Sequence, residues 1–151
     1  MIYYITNSQA LDTHAKTIEH SGGGTCDVIN IGYLYSVLDH IQNDDYYPEF
    51  EDKLTHLIYS VNKNHSFADG NKRISITLGA QFLLLNGYMF CIERYMRVME
   101  NISYHLAAGR IKKELLLKLI KSILGAEDDF NEDVKFEYLM ASAEGDIGFD
   151  E

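Results

Sequence analysis

The chain of 151 residues is poor in proline. Pro48 stands alone, so little obliges a long helix to break. It has two cysteines, Cys26 and Cys91, without the spacing of a zinc ligand set. With no export signal in view, they are expected as free thiols in a reducing compartment. No apolar run reaches the roughly 18 residues that suggest a membrane span. The first residues, MIYYITNSQ, lack the basic segment and cleavage-like site of a signal peptide. A cytoplasmic protein with no membrane partner is therefore expected. Internal repeats and low-complexity tracts are missing too. So is any basic excess: the formal net charge is −10. Residues 125–151 hold ten of the 23 acidic side chains and one of the 13 Lys and Arg. The preceding body is nearly neutral, which argues against direct nucleic-acid binding, since that normally needs a basic face.

What is present is apolar material, 46% of the chain with 12% aromatic, enough for one domain with a real core. The expected division is a domain over 1–124 and an acidic extension over 125–151, partly helical or disordered. IYYI near the start and MFCI at 89–92 have the composition of short strands able to pair. SQALDTHAKTIEH reads as a first helix, capped by Asn7 or Ser8 and stopped at Gly22-Gly23-Gly24. Ile31, Leu34, Tyr35, Leu38 and Ile41 recur at helical spacing behind Asn30 as a cap. NDDYYPEF breaks that pattern, and the stripe Phe50, Leu54, Leu57, Ile58, Val61 predicts a helix over 50–64. ISITLGAQFLLLN is apolar nearly all round, as in a helix buried at the centre of a domain, and Gly87 should end it in a left-handed conformation. Further helices are expected around Tyr95–Leu106, stopped by Gly109, over 112–124, and more weakly over 132–143. The class is mostly α.

HSFADGNKR, residues 65–73, is the chemically densest stretch. DGN opens the apolar helix, so backbone N–H groups and the positive end of the helix dipole face whatever lies before it. Gly70 can adopt a positive φ and permits close approach of a ligand to the backbone. Such a place suits phosphates. Asn71 adds a donor, Arg73 a planar fork for phosphate oxygens and Lys72 a point charge. Asp69 beside phosphates makes sense as a Mg²⁺ ligand. His65, neutral, could take the proton of a hydroxyl attacking a bound phosphate. Phe67 reads as a structural plug. Each feature alone has an ordinary explanation: a helix cap, a turn, a solvated Lys-Arg pair. Their conjunction in nine positions does not.

The stretch also resembles the signature of the Fic/Doc (Fido) family, H-x-F-x-[DEN]-[AG]-N-x-R, at every defined position. The similarity extends over most of residues 10–124: His14 with the Gly22-Gly23 loop, the apolar helix ending Asn86-Gly87, and LAAGRIKKE are similar to the Doc branch. The resemblance implies a compact bundle of about six helices with a short β-hairpin flap before the motif helix. Tyr46, Tyr47, Pro48, Glu49 and Phe50 take the position of that flap, which docks the target. It implies His65 as general base, Asp69 on Mg²⁺, and Gly70, Asn71 and Arg73 on the nucleotide phosphates.

Members that move AMP read GNGRxxR. Here the run is GNKRISI, with Lys72 for the second glycine and Ile76 for the second arginine, as in Doc. The family account is that ATP then binds reversed and offers its γ-phosphate. The reading is a toxin of a toxin–antitoxin pair that transfers phosphate from ATP to a Ser, Thr or Tyr hydroxyl of a target protein such as a translation factor, held in check by a separate antitoxin protein. The absence of HRD, DFG and a kinase glycine loop sets it apart from ordinary kinases. Gly70, where the founding Doc toxin has alanine, favours the alternative of AMP transfer. A non-catalytic module that binds nucleotide or a partner is the third reading. Met140-Ala-Ser-Ala-Glu144-Gly145 approaches the self-inhibitory pattern [ST]-x-x-x-E-[GN], but has Met for the hydroxyl residue, and Ile76 gives Glu144 no arginine to pair with.

Overall fold

A computed structural model describes residues 1–22, 30–64, 70–125 and 129–147, the side chains of 144–147 excepted. Seven helices follow one another among the described residues: α1 (Asn7–His20), α2 (Ile31–His40), α3 (Phe50–Lys63), α4 (Asn71–Leu85), α5 (Ile92–Ala107), α6 (Lys113–Leu124) and α7 (Glu132–Ile147). The boundaries follow local chemistry. Thr6, not Asn7 or Ser8, caps α1: its hydroxyl accepts from Gln9 N while the Gln9 side chain accepts from Thr6 N, a reciprocal capping box. Asn30 caps α2 by accepting from Tyr33 N at 3.0 Å. Gly87, at φ +86, stops α4, and Tyr88 N reaches back to Leu83 O, the wrap a left-handed residue makes possible.

The apolar character of α4 is explained by its place. It packs against α1, α3 and α5, and Ile74, Leu78, Phe82 and Leu83 are fully buried. Gly79 lies where a Cβ would collide with the Tyr95 hydroxyl and with Ile58 at 3.1 Å. That close approach lets Tyr95 Oη donate to Ile76 O at 3.0 Å, and burial pushes the Tyr95 pKa up, so the donor stays protonated. Val134 of α7 is buried against the core, and Lys118 of α6 pairs with Glu137 at 2.8 Å.

Two expectations fail among the described residues. IYYI and MFCI form no strand. The chain's start is instead held by one side chain: Asn86 Oδ1 accepts from Tyr3 N at 2.8 Å and Asn86 Nδ2 donates to Tyr3 O at 2.9 Å. An amide thus supplies the donor and acceptor that a partner strand would have offered. Nor is there a β-hairpin flap over 46–50. Residues 41–49 wind through turns around Asn43, whose side chain accepts from Asp45 N and Tyr46 N. Glu49 then caps α3, and its N–H donates to Asp52. Asx turns of this kind compete with strand pairing.

Candidate functional site

Two elements converge at the start of α4. The C-terminal end of α3 is fastened to that of α5: Asn62 Nδ2 donates to Ser103 O at 3.2 Å and Lys63 Nζ to Leu106 O at 3.0 Å. Six positions after Asn64, the C-cap of α3, comes Gly70, the N-cap of α4, which has φ +76 and brings no capping side chain to the first turn. A Cβ there would sit 2.7 Å from Ile18 Cδ1 and 3.5 Å from Arg73 Nη2. The left-handed backbone favours glycine here, and any larger residue would have to displace the end of the Ile18 side chain.

His65, Phe67 and Asp69 lie outside the described residues, as does Cys26. Of the remaining motif residues, Asn71 is half-buried and Lys72 and Arg73 are exposed. Successive helical residues point about 100° apart, and the two cations separate accordingly. Arg73 lines a groove of about 480 Å³ with Thr13, Lys16, Thr17, His20, Ile76 and Met96. The Lys72 ammonium lies 5.7 Å from the centre of the Tyr104 ring on α5. Grouping both with the backbone cradle, as the sequence suggests, overlooks that they face different neighbours.

The groove beside Arg73 continues along α4, because Thr13 and Thr77 also line a second hollow with Ala80, Gln81, Leu84 and Leu85. Its α1 wall was not singled out from the sequence. The signal was there in part, since Thr13, Lys16 and His20 recur at helical spacing, but nothing in α1 names α4 as its neighbour. Ile76 is buried beside this groove and offers no charge there. Among the described residues no group of three or more His, Cys, Asp or Glu is placed to hold a metal ion.

The segment 46–50 lies at the other end of α3, a helix of 14 residues and so about 21 Å long. Tyr46 is 78% exposed, and Pro48 and Glu49 are exposed as well. Phe50 is not available for docking: it is 8% exposed and packs at 4.7 Å from Phe82 and 4.8 Å from Tyr88. Tyr47 stacks on His56 at 4.5 Å, and Lys113 Nζ lies 2.8 Å from His56 Nδ1. Burial, then the charges of Lys113 and His40, lower the His56 pKa to about 4. The ring is therefore neutral near pH 7, and its Nδ1 can accept from Lys113.

No curated protein matches the chain. A model of the Fic/DOC family does match, over residues 4–83, which is more than half of the 151 residues and includes the whole of the 65–73 stretch; the chain belongs to the Fic/DOC family.

Proposed function

We propose that this protein is a Doc-type toxin that transfers the γ-phosphate of ATP to a Ser, Thr or Tyr hydroxyl of a target protein. The observation that carries the reading is the first turn of α4. A left-handed glycine without a capping side chain opens it, Lys72 stands in place of the second glycine, and uncharged Ile76 stands where the AMP-transferring branch has its second arginine. The Arg73 guanidinium lies beside Gly70, so a phosphate brought to this helix start would meet backbone amides and a guanidinium together.

In this mechanism the amides after Gly70, with Asn71 and Arg73, hold the polyphosphate. His65 accepts the proton of the target hydroxyl as its oxygen attacks the γ-phosphorus. A new O–P bond forms, the bond from that phosphorus to the β–γ bridging oxygen breaks, and ADP leaves. Positioning and charge stabilisation carry most of such a reaction. Asp69 is the carboxylate that would hold Mg²⁺, whose role is to neutralise phosphate charge; an ion carried by a nucleotide needs few protein ligands. The reaction belongs in the cytoplasm, where ATP is. No helix among the described residues is long and apolar enough to cross a membrane. The continuous groove between α1 and α4 is the surface we assign to an antitoxin helix, its apolar stripe on Ile76, Ala80, Leu84 and Met96.

AMP transfer is the second reading. The argument for it from Gly70 is weakened by the left-handed backbone there, φ +76, which itself favours glycine. Incubation with lysate and either γ- or α-labelled ATP separates the two. Label from the γ position, lost at least 100-fold in His65→Ala, is the expected result. Label from the α position alone would replace phosphate transfer by AMP transfer. Tight Mg–ATP binding with no transfer from either would leave a non-catalytic binder.

A further inference from the structure

Lys72 does not stand alone beside Tyr104. The Arg110 guanidinium lies 5.2 Å from the same ring, and Arg110 Nε donates to His105 Nδ1 at 3.0 Å, so Arg110 is tied down by the residue next to Tyr104. His105 in turn meets the Tyr138 ring edge-on at 5.9 Å, which braces it from α7. The main chain of Lys72 is fixed too, because Ser75 Oγ donates to Lys72 O at 2.7 Å. Among the described residues, the π face of Tyr104 is the group that faces the Lys72 ammonium. Tyr104 itself is 54% exposed.

We propose that Tyr104 is a positioning residue for Lys72, holding its ammonium on the α5 side of the α4 start while Arg73 stands on the α1 side. Two consecutive cations then hold different phosphates of one polyphosphate. The distance between them, set by Tyr104, helps to fix which phosphorus faces the acceptor. The proposal rests on the reading of the α4 start as the nucleotide site. An aromatic face attracts a cation through its quadrupole, and at exposed sites the attraction is modest.

The test compares Tyr104→Phe, which keeps the face, with Tyr104→Leu, which removes it, each with Lys72 and with Lys72→Met. Calorimetric titration with Mg–ATP is the primary measurement. Tyr104→Leu should weaken binding about two- to fivefold, Tyr104→Phe should match the unaltered protein, and in the Lys72→Met background Tyr104→Leu should have no further effect. Because Tyr104 is exposed, all variants should keep the melting temperature of the parent. Equal affinity in Tyr104→Leu and Tyr104→Phe would overturn the proposal, as would an effect of Tyr104→Leu that persists without Lys72. Labelled-ATP transfer by the same proteins keeps the two ideas apart. Binding that behaves as expected, without transfer of γ-label, removes the phosphotransfer reading and leaves Tyr104 in its role. A parent protein that fails to bind Mg–ATP removes both.

Discussion

The two ends of α3 treat charge in opposite ways. At the N-terminal end, charged and aromatic groups satisfy one another. Lys53 is fully buried, yet its ammonium donates to Ile41 O and to Asp44, each at 2.8 Å. Burial works against that charge, but Asp44 and Tyr4 outweigh it and raise the Lys53 pKa. Tyr47, His56 and Lys113 close on each other a turn further along. At the C-terminal end, Lys63 and Asn62 fasten α3 to α5, while Lys72 and Arg73 stay exposed around a glycine-opened helix. Buried polar groups must find partners within the fold. Exposed cations at the start of a glycine-opened helix are suited to an anion from outside. The same residue types therefore hold the structure together at one end and remain available for chemistry at the other.

The contrast can be broken by exchanging the ends in turn. The largest effect is expected at the open end: Arg73→Ala should weaken Mg–ATP binding about 10- to 100-fold, the loss of charge-assisted hydrogen bonds, with the melting temperature little changed. Lys113→Met at the closed end should leave that affinity alone. If both variants lose affinity alike, the division of labour between the ends is wrong. Next in size is Lys53→Met, which keeps the stem but leaves Ile41 O without its donor. Urea unfolding should show a loss of about 1–3 kcal/mol. Asp44→Ala should cost less, below about 1 kcal/mol, because Asp44 is 79% exposed and screened by water. Equal losses would mean that the ion pair, not the buried carbonyl, matters.

The smallest effect is one of pH. His56 has a folded pKa of about 4, against an ordinary 6.5. An unfolded chain protonates it first as the pH falls. Its contribution to stability is thus complete above pH 6.5 and is lost progressively from there down toward pH 4. Discounted for the half-exposed ring, the change is about 1 kcal/mol. His56→Gln should flatten the slope of stability against pH across that window. An unchanged slope would show that His56 titrates alike in the folded and the unfolded chain, so that neither burial nor Lys113 depresses it.

Helices, caps and stops were largely legible because they depend on neighbours in the chain. Asn30, Gly87 and Gly109 do what their chemistry demands within a turn of where they stand. The strand reading of IYYI failed for a reason of distance: Asn86, 83 positions from Tyr3, competes for its backbone and wins. Tyr46–Phe50 look like a free segment in one dimension, since nothing local shows that Phe50 meets Phe82 and Tyr88 or that Tyr47 meets His56. The cluster of Tyr47, His56 and Lys113 was invisible for the same reason, with His56 and Lys113 57 positions apart.

By itself, the sequence determined the order of the helices, the buried character of α4, and a phosphate-suited run of residues from His65 to Arg73, because periodicity, capping and backbone freedom are properties of short stretches. Only the tertiary structure decided that Lys72 turns to Tyr104 while Arg73 turns to α1, that Ile18 of α1 packs beside Gly70, and that residues 46–50 belong to the closed end of α3. Those outcomes depend on which helix faces which, and that is set by burying apolar surface across the whole chain, a sum no single stretch contains.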